Sequence, residues 1–184
     1  LPAIAGWVIR DWMPEILREK FHLGQGTAGV SAILFVQIAS LLGGLAGGIL
    51  ADRWMRHTQR GRILTSAIGM CLFLPALFGV GNASTLPLAV GGLIVFGIGW
   101  GFFDCNNMPI LCQIARPEHS ATGYGTMNLV SISCGGFGDW LFGVLRDQGT
   151  PLNVIFGAFS GLALLSVGIV LRIRLSNTST HSPA

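Results

Sequence analysis

Charge is what this chain has least of. Asp, Glu, Lys and Arg make up 10% of its 184 residues, while 51% are apolar. A soluble domain of this length carries far more charge, so a soluble fold is excluded. The net charge of +3 is too small to build a nucleic-acid surface. Paired cysteines are also missing: Cys71, Cys105, Cys112 and Cys134 sit singly in apolar stretches, with no close CxxC and no His partner, and read as small packing residues. Histidine is absent from the apolar stretches, since His22, His57, His119 and His181 all fall in loops or the tail. With no GxSxG and no HExxH, an intramembrane enzyme of the rhomboid type has no base within reach of a buried nucleophile and is a minor alternative. No cofactor and no metal are expected.

What the chain has in quantity is long apolar runs. Six can be marked between charges and Gly, Pro or Asn clusters, over 1–17, 27–51, 63–80, 86–113, 121–145 and 151–171. Each is long enough to approach or cross a bilayer as a helix. Residues 1–175 therefore read as one six-helix transmembrane domain, and the polar residues 176–184 as a disordered tail. The expected fold is all-α, a polytopic membrane protein. Leu1 is not an initiator methionine, and Arg10 and Asp11 interrupt the first run where a secretory signal would be uninterrupted, so a chain truncated at its N-terminus is expected.

Basic residues set the orientation. Arg53, Arg56, Arg60 and Arg62 crowd the loop between the second and third runs, and the same side receives Arg116, Arg172 and Arg174, leaving Arg18, Lys20 and Arg146 opposite. The first side is expected to be cytoplasmic, with the C-terminus on it, in a multi-pass protein of the cell membrane.

Four charged residues fall inside the runs, and each costs about 2.5 to 3.5 kcal/mol near a bilayer centre unless it has a partner or a water-filled cavity. Setting aside Glu15 near the end of the first run, they are Arg10, Asp11, Asp104 and Asp139. Helical spacing puts Trp7, Arg10, Asp11 and Pro14 on one stripe of the first run. It puts Trp100, Asp104, Asn107 and Leu111 on one of the fourth, and Tyr124, Asn128, Ser131, Gly135 and Asp139 on one of the fifth. Gln37 and Ser40 are the sizeable polar residues inside the second, while the bland third and sixth suggest lipid-facing positions. This polarity repeats every three runs. Three is odd, so successive triplets must enter from opposite sides, and two inverted three-helix repeats are expected.

The expected substrate-binding residues are Arg10, Trp7, Trp100, Asn107, Asn128 and Gln37, and Asp104 and Asp139 are candidates to carry a coupling proton. Arg10 either clasps an anionic group bidentately or forms a structural ion pair with Asp104 or Asp139. The two aspartates either take part in coupling or are paired locally. Glycines four apart, Gly43 and Gly47, Gly44 and Gly48, Gly97 and Gly101, Gly157 and Gly161, are expected at close helix contacts.

The loop residues Gly48, Leu50, Ala51, Asp52, Arg53 and Arg56 resemble the cytoplasmic signature Gly-x-Leu-Ala-Asp-Arg-x-Gly-Arg-Arg of the major facilitator superfamily, with Met55 where a glycine is usual and His57 replacing a basic residue. Together with Trp12-Met-Pro14 and the segment from Arg116 to Gly123, they make the chain similar to the C-terminal half of such a transporter. The resemblance implies secondary transport of a small organic solute by alternating access, with a coupling ion, and a missing N-terminal half as partner. It implies a conformational hinge at Gly48, Asp52, Arg53 and Arg56. Trp12 and Pro14 also resemble organic-anion and sugar-acid branches. A six-span structural or assembly subunit is the other alternative, and it leaves the buried charges without a purpose.

Overall fold

The computed structural model describes residues 2–115 and 117–172. Arg116, Arg174 and the tail at 176–184, on which orientation and disorder were expected, lie outside the described residues. Six long helices follow one another: α1 (Pro2–Phe21), α2 (Gln25–Met55), α3 (Gly61–Gly81), α4 (Leu86–Ile114), α5 (Ser120–Asp147) and α6 (Leu152–Leu171). A single 3-10 turn, Pro117–His119, leads into α5, and one π-helical turn, Val30–Leu34, sits near the start of α2. There is no strand among the described residues. The helices run a few residues beyond several of the apolar runs, because the hydrogen-bond ladder continues past the point where side chains turn polar.

Four of the six, α2, α3, α4 and α6, are long and apolar enough to cross a membrane. The charged residues of α1 and the polar stripe of α5 set those two helices apart. Helices suit such sequences because each peptide N–H and C=O is satisfied within its own segment. The ends use backbone closures. His22 takes a left-handed φ of 52° and Leu23 N–H donates to the Arg18 carbonyl at 3.1 Å, closing α1. Gly149, at φ 75°, closes α5 in the same way, with Thr150 N–H donating to the Leu145 carbonyl at 3.1 Å.

Glycine decides how the helices meet. On the seam between α2 and α4, a Cβ at Gly47 would stand 2.9 Å from the Phe102 Cα, and one at Gly97 would stand 2.8 Å from the Ala39 Cβ. Gly43 lies on the Ile98 backbone and Gly101 on the Ser40 and Gly44 backbone, so these helices touch main chain to main chain. Positions 36, 40 and 47 of α2 meet 97, 101 and 102 of α4, and the two run in the same direction. α1 and α5 are also parallel: Trp7 lies at Gly135, Trp12 at Gly143 and Glu19 at Arg146. α3 runs antiparallel to α4, with Gly69 at Gly99 and Val80 at Gly92.

Two expectations are corrected here. Gly157 and Gly161 meet nothing within 4 Å, so that pair makes no close helix contact among the described residues. The third run does not simply face lipid: α3 is the most deeply covered of the four apolar spans, with Thr65, Ser66, Met70 and Phe73 buried against α4 and α6. Bland composition there reflects burial against other helices. An outer edge of Leu64, Ile68 and Phe78 remains exposed.

Candidate functional site

Where α1, α4 and α5 come together they enclose a cavity of about 410 Å³. α1 contributes Trp7; α4 contributes Trp100, Phe103, Asp104 and Asn107; α5 contributes Tyr124, Met127, Asn128 and Ser131, with Val130, Ile132 and Cys134. The polar stripes of the fourth and fifth runs thus meet at one space, with Trp7 of the first. Trp7, Trp100, Asp104, Asn107 and Asn128, singled out from the sequence for binding or coupling, all line it.

Small residues on neighbouring helices seat its large rings. The space that a Cβ would need at Gly6 is filled by the Trp100 indole, and a Cβ at Gly135 would stand 2.7 Å from Trp7 Cγ. Behind the cavity, Phe73 of α3 stacks on Trp100 with centroids 6.2 Å apart, and Trp100 meets Phe103 edge-on at 5.8 Å. The aromatic wall is therefore held from behind by a packed core, which fixes ring orientation before any ligand arrives.

The polar groups on this wall are largely unspent. Asn107 Nδ2 donates to Asp104 Oδ1 at 3.3 Å. Tyr124, Asn128 and Ser131 have no side-chain partner among the described residues. Asp104 also lines a shallow groove between α2 and α4 with Gln37, Ser40 and Cys105, so Gln37 reaches Asp104 from the other side and stays outside the main cavity.

Arg10 and Asp139 are not brought into the cavity lining. The Arg10 guanidinium lies 5.6 Å from the centroid of the Trp7 ring, and it is ion-paired with neither Asp104 nor Asp139. Both readings of Arg10 therefore meet a different geometry, a cation stacked on a cavity tryptophan. Asp139 lies on the seam of α1 and α5 facing Asp11, with its Oδ1 buried and unpartnered. Phe103 and Met127 were missed from the sequence. Their signal was available, because each lies three residues from a stripe member, Trp100 or Tyr124, on the same helical face.

The loop between α2 and α3 forms a second locus. Asp52 accepts from Arg62 Nη2 at 2.9 Å, whereas Arg53 and Arg56 make no ion pair among the described residues. Met55 ends α2, and the close approach that a glycine permits falls at Gly61, where a Cβ would stand 2.8 Å from the Met55 nitrogen. Gly48 meets nothing within 4 Å. On the opposite side Arg146 pairs with Glu19 and lies 5.7 Å over the Trp12 ring, fastening the ends of α1 and α5. No group of three or more His, Cys, Asp or Glu able to hold a metal occurs among the described residues.

Comparison with known proteins supplies a family. The model of the Major Facilitator Superfamily matches residues 3–138. A protein of Bacillus subtilis (strain 168) described as "Uncharacterized MFS-type transporter YddS" is 26% identical over 151 residues, covering 80% of this chain. The chain spans 34% of that relative's length. No solved structure matches.

Proposed function

The chain belongs to the major facilitator superfamily, and from that premise we propose that it forms half of a secondary transporter for a small organic solute, with the cavity between α1, α4 and α5 as its share of the solute site. The observation that carries this reading is the convergence of the polar stripes of α4 and α5 on one space, closed on its third side by Trp7 of α1. Under it, Trp7, Trp100, Asn107 and Asn128 bind solute directly, and Asp104 takes part in binding or ion coupling. A partner half, the missing N-terminal part of the same transporter, completes the cavity.

Alternating access needs two arrangements of rigid units about a midplane site. Two inverted triplets, α1 to α3 and α4 to α6, are supported by how the helices pair. Exchanging the triplets converts the parallel pair α2 and α4 into α5 and α1, also a parallel pair, and returns α3 with α6 to itself. On this reading Asp52 and Arg62 tie the end of α2 to the start of α3 in one conformation, with Arg53 and Arg56 free to engage the other half. The basic loop faces the cytoplasm and the Glu19 to Arg146 pair faces outward. For coupling the candidates are Asp104, on the cavity, and Asp139, which faces Asp11 on the α1–α5 seam.

The test is solute uptake by the full transporter in proteoliposomes. Ser131→Trp, which fills the cavity, is expected to abolish uptake while leaving helix content unchanged. Undiminished uptake by that variant would sink the assignment of this cavity. A structural subunit would move no solute even in the wild-type protein.

A further inference from the structure

The lining of the cavity says more about the solute than its location does. Among the described lining residues there is one charged side chain, and it is Asp104. Around it stand the rings of Trp7, Trp100, Phe103 and Tyr124 and the thioether of Met127. The remaining polar groups are neutral amides and hydroxyls.

Resting on the transport reading above, we propose that this cavity receives a small organic cation, an amine or quaternary ammonium solute, with Asp104 as counter-charge and the Trp100 and Phe103 rings beside it. Three observations support this choice over an organic anion. The first is Arg10. Its guanidinium lies over the Trp7 ring, which it occupies, and outside the lining, so no basic side chain among the described residues lines the cavity.

The second is local charge. Within α1, α4 and α5, away from their ends, Arg10 is the one cation against Asp11, Asp104 and Asp139. Asp11 is its immediate neighbour in sequence, and Asp139 faces Asp11. Asp104 is left with only the Asn107 amide, at 3.3 Å, and makes no ion pair. An exposed carboxylate on an open cavity has no fixed counter-charge of its own, and an incoming ammonium supplies one.

The third is the aromatic wall. A cation near an indole face is attracted by the ring quadrupole, more so as water is excluded, whereas an anion is repelled by the same face. Trp100 is backed by Phe73, so its ring cannot turn its edge to accommodate an anion without disturbing a fully buried core residue. The volume of about 410 Å³ is ample for a quaternary ammonium carrying one ring.

The experiment is equilibrium binding to the purified full transporter with three probes of similar size: benzyltrimethylammonium, glucuronate and glucose. Saturable binding of benzyltrimethylammonium is expected, weakened about tenfold or more in Asp104→Asn and in Trp100→Leu, less so in Trp100→Phe, and unchanged in Gly161→Ala. Asp104 is exposed and its amide is isosteric, so the first variant keeps the fold. Glucuronate or glucose bound more tightly than the ammonium overturns the assignment, as does the absence of saturable ammonium binding in the millimolar range. So does Asp104→Asn binding the ammonium with unchanged affinity, even if pH dependence is lost, since the carboxylate then serves a proton. The cavity-filling Ser131→Trp separates the two levels. If it removes binding of whichever probe is preferred, the cavity is the solute site and only the charge assignment is at stake. If it removes none, the underlying functional reading fails and the cation assignment with it.

Discussion

At the scale of single residues, glycine does two different jobs in this protein, and substitution separates them. Gly6 makes room for the Trp100 indole, so Gly6→Val is expected to push that ring into the cavity and weaken solute binding about tenfold, with an overpacking cost of about 1 to 3 kcal/mol. Isothermal titration of the variant, alongside its melting temperature, distinguishes loss of binding from loss of fold. His22 is the converse case, a non-glycine residue held at φ 52° where α1 ends. Replacing it with glycine relieves the left-handed strain, and His22→Gly should raise stability by about 1 kcal/mol, read as a higher melting temperature in detergent. Asp52 and Arg62 make a bond between partly exposed groups, 67% and 24% accessible, so Asp52→Asn should cost the resting fold less than about 1 kcal/mol. A large drop in transport rate with a nearly unchanged melting temperature is the expected outcome, and a collapse of stability would show that the pair is structural.

At the scale of helices, the contrast between glycine pairs offers a sharper test. Gly43 presses on the Ile98 backbone while Gly161 faces open space, although both belong to the same four-residue spacing. Gly43→Leu should therefore separate α2 from α4 and cost several times more stability than Gly161→Leu, which should stay within about 0.5 kcal/mol. Parallel denaturation of the two variants checks this. The comparison also explains what the sequence could and could not disclose. Helix existence and extent were legible because apolar runs of this length have one solution in lipid, and Trp100, Asp104 and Asn107 were legible because three- and four-residue spacing puts them on one face. Which glycine pair makes a contact was not legible, since spacing fixes a stripe on one helix and says nothing about what stands opposite. The placement of Arg10 was not legible for the same reason. Its guanidinium lies over Trp7, outside the cavity lining, a matter of rotamer and neighbours.

At the scale of the whole molecule, the helix directions make topology testable without knowledge of the solute. The four native cysteines are unpaired and can be replaced. On a cysteine-free background, a cysteine at His57, between α2 and α3, is expected to react with an impermeant maleimide only from the cytoplasmic side. One at Gln148, beyond α5, should react only from the outside. Labelling of both from one side would break the six-span alternation. The triplet polarity suggests an inverted repeat, and the pairing of α2 with α4 and of α1 with α5 is what such a repeat would require.

Those two parallel pairs differ mechanically. The seam between α2 and α4 is mostly main chain on main chain at Gly43, Gly97 and Gly101, which leaves few side chains to absorb a displacement, so the two helices travel as a single stiff plank. The seam between α1 and α5 is indole on glycine at Trp7 and Trp12, and an indole can tilt about χ1 and χ2 while remaining in contact. Compliance is therefore concentrated in the pair that forms two of the three walls of the cavity. The cavity can change its volume by tilting Trp7, and the plank that carries Trp100 need not bend at all.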